Sequence, residues 1–211
     1  MMSKQWFAHI IWMIGLLIII LSVFSACSSA PRLPALSGDA VVLAFGDSLT
    51  AGTGAAPEAG YPEELSRLIG RRVINAGVPG EVTAAGLKRL PDLLDSEKPA
   101  LVVLCLGGND FLQRLDLLQA EQNMRAMVAM IHERGIGVVL IGVPRLGLGL
   151  EVPDWYQRIA ADAGIPYEGR VLQRILSDHQ LKSDPIHPNA AGYRQMAEAL
   201  VALLRKAGAL Q

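Results

Sequence analysis

Ala40-Val41-Val42-Leu43-Ala44-Phe45-Gly46-Asp47-Ser48 is a continuous apolar run that stops at a glycine and delivers an acid and a hydroxyl. The run from Ala40 to Phe45 has no polar face to offer to water, so it reads as a strand buried on both sides. Leu101 to Leu106 repeats the pattern and stops at Gly107-Gly108, and Gly137 to Val143 repeats it again. Arg72 to Asn75 is a shorter strand that runs into a Gly-Pro-Gly loop. Helical periods fill the intervals: Tyr61 to Ile69, Val82 to Leu94, Ala120 to Arg134, Trp155 to Ala163, Arg170 to Ser177 and Asn189 to Ala207. Fully apolar strands alternating with helices predict an α/β fold, with a mainly parallel sheet covered on both faces. In such a sheet the binding crevice lies beyond the carboxyl ends of the strands. Ser48, Gly80 and Asn109 all fall just past strand ends and therefore share that edge.

Three distant segments supply complementary chemistry there. Gly46-Asp47-Ser48-Leu49 offers a hydroxyl, Asp184-Pro185-Ile186-His187 an acid and an imidazole, and Gly107-Gly108-Asn109-Asp110 a side-chain amide. A serine attacks a carbonyl when a base takes its proton, an acid holds that base in the right tautomer, and donors meet the developing oxyanion. Ser48, His187 with Asp184, and Asn109 meet those needs. The spacing of Asp184 and His187 lets both side chains turn to one side of a single loop, with Nδ1 on the acid and Nε2 toward Ser48. Each residue also has a plainer reading: Ser48 and Asn109 as helix caps, Gly80 as a turn glycine with positive φ. Asp47 and Asp110 read as loop scaffolding, with Asp110 orienting its loop or capping the next helix. The adjacent pair Asp178-His179 reads as a solvated helix end.

Composition narrows the class further. A chain of 211 residues that is 51% hydrophobic can build one domain with a full core, and a formal net charge of -1 offers no attraction for nucleic acid. His9, His132 and His179 have no ligand-like partners at zinc spacing, so no metal is expected. Lys4 precedes an uncharged stretch from Gln5 to Pro31, which reads as an export signal. Its end, Phe24-Ser25-Ala26-Cys27, resembles a bacterial lipobox, which implies lipidation at Cys27 and a membrane anchor on the new first residue. The competing reading is an uncleaved anchor over Trp6 to Phe24, near the length that spans a bilayer. Either reading puts the rest of the chain outside the cytoplasm. The expected organisation is a signal peptide over 1–26, a tether over 27–38 and one domain over 39–211. Cys105 then lacks a partner and reads as a small buried apolar residue.

Four blocks together resemble those of the SGNH (GDSL-type) hydrolases, in the branch with bacterial lysophospholipases, thioesterases and arylesterases. They are Ala44-Phe45-Gly46-Asp47-Ser48-Leu49-Thr50, Asn75-Ala76-Gly77-Val78-Pro79-Gly80, Leu106-Gly107-Gly108-Asn109-Asp110 and Asp184-Pro185-Ile186-His187-Pro188-Asn189. The resemblance covers nearly everything after the tether. It implies a three-layer α/β/α sandwich of flavodoxin-like topology and a catalytic set of Ser48, Asp184 and His187. It also implies an oxyanion hole made by the backbone N–H groups of Ser48 and Gly80 and the side chain of Asn109. No cofactor is implied. Gly46-Asp47-Ser48-Leu49-Thr50 lacks the second glycine of Gly-x-Ser-x-Gly, so the sharp elbow of α/β-hydrolases is not expected.

The function implied is hydrolysis of an acyl or aryl ester, a thioester or a lysophospholipid. Two alternatives stand beside it: a carbohydrate O-deacetylase of the same fold, and a non-catalytic envelope lipoprotein. A sugar site wants exposed aromatic rings, and the few available for one after the tether, Tyr61, Trp155, Tyr156, Tyr167 and Tyr193 in a chain that is 5% aromatic, weigh against the deacetylase. In the Gly/Pro loop from Pro144 to Pro153, Leu146, Leu148 and Leu150 stand at alternate positions, which puts them on one side of an extended segment. That side is either a flap packed on the core or an apolar wall for an acyl chain.

Overall fold

The computed structural model describes residues 30–211 apart from residue 148. The apolar amino-terminal stretch, Cys27 and Leu148 lie outside the described residues. In chain order the first elements are β1 (Val41–Gly46), α1 (Ser48–Ala51), α2 (Tyr61–Ile69), β2 (Arg72–Gly77), α3 (Thr83–Glu97) and β3 (Leu101–Cys105). Next come α4 (Gly108–Leu112), α5 (Leu117–Glu133), β4 (Gly137–Ile141), β5 (Arg145–Leu146) and β6 (Leu150–Glu151). The chain ends with α6 (Asp154–Ala163), β7 (Tyr167–Glu168), α7 (Val171–Ser177) and α8 (Ala190–Ala207).

Five strands form one parallel sheet in the order β2-β1-β3-β4-β7. Counted within the sheet this is the 2-1-3-4-5 order of flavodoxin-like folds, whose crevice opens where β1 and β3 part company in winding direction. The three central strands are apolar throughout because helices cover both faces: β3 and β4 are wholly buried, and β1 is buried from Val42 onward. Helices α2 and α8 pack together on one face, and α3, α5 and α6 form the other layer. Phe45, Leu104, Met124, Tyr193 and Leu200 are among the fully enclosed side chains. Each large apolar side chain removed from water in this way contributes roughly 1.5–3 kcal/mol.

The fifth strand, β7, pairs with β4 through two residues only, Leu140 with Tyr167 and Ile141 with Glu168, and is too short for any periodicity to announce it. The segment expected as a plain loop after β4 folds back as the antiparallel hairpin β5–β6, with Leu146 opposite Leu150. Pro31–Gln211 is a compact unit that contains the sheet, the helices and the core of the described residues. The end of the stretch read as a tether belongs to it. The N–H groups of Leu33 and Leu36 donate to the carbonyls of Ala207 and Ala209, and the Leu36 side chain is buried.

Candidate active site

Ser48 opens α1 directly after β1, and Asp47 is the cap of that helix, its Oδ1 accepting from the N–H of Leu49 at 3.0 Å. The turn is tight because two glycines in register, Gly46 of β1 and Gly77 of β2, leave no room for a side chain. A Cβ on Gly46 would collide with the carbonyl of Cys105 and with Thr50, and one on Gly77 with the backbone of Ala51. The four-residue helix can therefore lie across the strand ends and hold the Ser48 hydroxyl at the sheet edge.

The acid and the imidazole come from the loop before α8. Asp184 Oδ1 accepts from the N–H groups of Ile186 and His187, both at 2.8 Å, which folds the loop back on itself. Asp184 Oδ2 is 2.7 Å from His187 Nδ1, and His187 Nε2 is 3.0 Å from Ser48 Oγ. Nδ1–H then donates to the acid, and the serine hydroxyl donates to Nε2. Partial burial on its own raises the Asp184 pKa, but the bonds from the His187 ring and from the two N–H groups outweigh it and hold the carboxyl below its usual range. Asn189 anchors the loop by capping α8 through the N–H of Gly192. Ser48 and His187, 139 positions apart in sequence, thus join Asp184 in one hydrogen-bonded line.

Asn109 stands in the first turn of α4 at the end of β3, and its amide lines the same cleft as Ser48 and His187. Its Nδ2 donates to the carbonyl of Glu81 at 3.0 Å and to Asp47 Oδ2 at 3.3 Å. Gly80 is not among the residues lining that cleft, but it immediately precedes Glu81 in the turn that meets Asn109. Its φ of +81° is the left-handed value that the turn reading requires. Asp110 caps a helix, though not the following one: both its oxygens accept from Thr83, at the N–H (2.9 Å) and the hydroxyl (2.7 Å), which fixes the start of α3. Asp178 and His179 are exposed and away from this cluster.

One pair that the motifs do not reveal braces this edge. Arg89 of α3 grips Glu81 with two bonds, at 2.6 and 2.7 Å, and also donates to the carbonyls of Ala76 (2.7 Å) and Gly46 (3.3 Å). Its guanidinium lies 4.1 Å over the Phe45 ring. One side chain thus ties the ends of β1 and β2 to the turn that carries Gly80 and receives Asn109. Arg89→Met leaves the buried Glu81 carboxylate unpaired, so Tm should fall by roughly 10 °C, the consequence of about 3–5 kcal/mol. Arg89→Met/Glu81→Gln should recover most of that stability while kcat stays tenfold or more down and KM changes little, since misplacing a donor by about an ångström costs up to roughly a hundredfold. Full recovery of kcat in the double variant would limit the pair to a structural role.

Asp47 has a distinct electrostatic position. Burial pushes its pKa up to about 7 against the opposing bond from Leu49, with the Glu81 and Asp110 carboxylates adding to the rise. A carboxyl whose pKa is higher in the folded chain than in the unfolded one contributes stability that is present below its ordinary value of 3.8 and lost as pH rises through about 7. The Tm of the parent relative to Asp47→Asn should therefore fall between about pH 4 and about pH 7 and then level off. Thermal melts across that range check this, and a constant difference contradicts it.

The cleft beside Ser48 is open to solvent and spans about 430 Å³ of empty space, part of it open solvent. Apart from the catalytic candidates and Asp47 its walls are apolar, with Phe111 and Leu112 of α4, Val143, Pro144 and Leu146 after β4, Leu176 of α7, and Ile186 among them. Of the five aromatic residues a sugar site would draw on, four are buried and Tyr167 of β7 is half-buried. Tyr61, Tyr156 and Tyr193 are fully buried, with hydroxyls bonded to Thr50, the Leu106 carbonyl and the Thr53 carbonyl. Trp155 is buried against Tyr156, and the ring that does line the cleft is Phe111.

Residues 44–195 match the GDSL-like Lipase/Acylhydrolase family. The chain is 36% identical over 126 residues to Esterase TesA of Pseudomonas aeruginosa, a match spanning 57% of this chain and 63%, less than two thirds, of that protein. It is 27% identical over 187 residues to Thioesterase 1/protease 1/lysophospholipase L1 of Escherichia coli (strain K12), over 84% of this chain and 85% of that protein. The crystal structure of TesA superposes with a TM-score of 0.68 at 29% identity, covering 78% of this chain and 98% of that one. A family match over more than half the chain, on a sheet of the same topology, gives a plain conclusion: the chain belongs to the GDSL-like lipase/acylhydrolase family.

Proposed function

We propose that the protein is a serine esterase that hydrolyses carboxylic esters through an acyl-enzyme on Ser48. The observation that carries the proposal is the line Asp184–His187–Ser48 opening into an apolar cleft. Family membership and the esterase names of the relatives support it. Ser48 Oγ attacks the acyl carbon while His187 Nε2 takes its proton, and Asp184 stabilises the imidazolium. The oxyanion is met by the N–H groups of Ser48 and Gly80 and by Asn109 Nδ2, whose longer bond to Asp47 is the one surrendered. With its pKa pushed up to about 7, Asp47 is only partly charged at neutral pH, which lessens its repulsion of the oxyanion. His187 returns the proton to the leaving alkoxide. It then activates a water that releases the acid and frees Ser48.

The acyl or aryl part lies against Phe111, Val143, Leu146 and Ile186, which give nothing to a sugar hydroxyl. Each methylene buried there contributes up to about 0.8 kcal/mol. In a series of p-nitrophenyl esters from acetyl to palmitoyl, kcat/KM should rise from acetyl to medium chains, and Leu146→Asp should flatten that rise while acetyl-ester turnover persists. Activity confined to acetyl groups on polysaccharide would overturn this and favour the deacetylase. We further propose that residues 1–26 are an export signal and that Cys27 carries the lipid that holds the domain to an envelope membrane. Palmitate labelling that disappears in Cys27→Ser supports this; labelling that persists excludes it.

A further inference from the structure

Six large apolar side chains are well exposed among the described residues: Leu68, Val78, Leu112, Leu115, Leu118 and Leu146. Scattered singly, such residues need no explanation. Here only Leu68 of α2 stands apart, because the other five all follow strand ends on the edge that carries Ser48. Leu112, Leu115 and Leu118 recur at three-residue spacing through the turn from α4 to α5, and Leu118 is 64% exposed. Leu112 and Leu146 belong to both sets: they wall the cleft and also face solvent. Apolar surface is thus present both on the cleft wall and at its mouth, with Leu115 and Leu118 following Leu112 in the chain.

We propose that this leucine fringe is a docking surface for the face of a lipid aggregate, a micelle or bilayer of ester lipid. The proposal rests on the esterase reading above and names the physical form in which the substrate is met. A folded protein seated on these leucines would close the mouth of the cleft, whereas a lipid surface brings its acyl chains to the mouth. An acyl chain drawn from the aggregate passes along Leu146 and Leu112 to Ser48 without crossing water. Cations border this fringe. Arg114, between Leu112 and Leu115, is exposed with Asp116 nearby in the chain, and Arg145, beside Leu146, is held 3.7 Å from the exposed Glu151 carboxylate, a weak surface pair that a lipid phosphate can replace.

The test uses the compact Pro31–Gln211 unit, which holds the core of the described residues, so that the apolar amino-terminal stretch does not itself carry the protein to lipid. With Ser48→Ala to prevent turnover, binding is measured by flotation on phosphatidylcholine vesicles containing lysophosphatidylcholine. The Ser48→Ala protein should float with the vesicles. Adding Leu115→Asp and Leu118→Asp should lower the partition coefficient roughly tenfold or more, and adding Leu68→Asp should leave it unchanged. In the active protein, Leu115→Asp/Leu118→Asp should raise the apparent KM for micellar lysophosphatidylcholine, with kcat/KM for monomeric p-nitrophenyl butyrate within about twofold of the parent. Leu115→Ser/Leu118→Ser is the milder pair and should show the same split. No vesicle binding by Ser48→Ala, an equal loss with Leu68→Asp, or parallel losses on monomeric and micellar substrate would each overturn the docking surface. Flotation does not depend on turnover, so failure of the parent to hydrolyse the monomeric ester would count against the esterase reading alone.

Discussion

Ser48→Ala is expected to lower esterase turnover by about 10⁴–10⁶-fold while Tm stays within a degree or two of the parent. The hydroxyl is the only group removed, and its one hydrogen bond, to His187 Nε2 at 3.0 Å, lies at the sheet edge and not in the core. The backbone N–H of residue 48, the cap made by Asp47 and the Gly46–Gly77 packing all survive the change. Substrate binding should persist, so the loss should appear in kcat. Steady-state kinetics on a p-nitrophenyl ester, paired with a thermal melt, check both halves. Activity within about tenfold of the parent would remove Ser48 from the role of nucleophile.

Asn109→Ala is expected to lower kcat by roughly 10²–10³ with KM little changed, the usual cost of one lost oxyanion donor. On the proposed reading the Glu81 carbonyl keeps the amide in place while its second hydrogen turns from Asp47 to the oxyanion. The change also removes a donor from Asp47, the buried carboxyl whose pKa already stands near 7, and should raise that pKa further. A fall confined to KM would mean that Asn109 binds the ground state and not the transition state.

What was legible in the chain depended on the length scale of each signal. The central strands could be read because burial on both faces forbids polar residues, and β1, β3 and β4 carry none. The helix α2 fell on Tyr61–Ile69 as the apolar period indicated. β7, α1 and α4 span two, four and five residues, too few for a period to show, and so left no pattern. Ser48, Asn109, Asp184 and His187 stood out because their chemistry is complementary, and the fold brings them to one edge. Arg89 did not stand out: in sequence it is one cation beside Lys88 in an amphipathic helix, and its partners come from β1, β2 and a turn. The aromatic residues, too few in the sequence for a sugar site, are further reduced by burial. Tyrosine hydroxyls near a catalytic edge can serve as anchors for its loops, and Tyr61, Tyr156 and Tyr193 do so from full burial.

The two functional layers are separable in the molecule. On the proposed reading Ser48, His187, Asp184 and Asn109 set what bond is broken, while Phe111, Val143, Leu146 and Ile186 on the cleft wall set what kind of acyl group reaches it. Changes in the second group should alter kcat/KM between esters of different length by about tenfold for every 1.4 kcal/mol of acyl-chain binding energy removed. Changes in the first should lower all esters together.

The acyl-enzyme on Ser48 is tested most directly by covalent capture. The protein is treated with a p-nitrophenyl alkylphosphonate, whose tetrahedral phosphorus accepts the attacking oxygen and releases p-nitrophenolate. Intact mass and peptide mapping then locate the adduct. One phosphonyl group per chain on the peptide containing Ser48, formed in step with loss of activity and absent in Ser48→Ala, is the predicted result. An adduct on any other residue, or full inactivation with Ser48 unmodified, would contradict it.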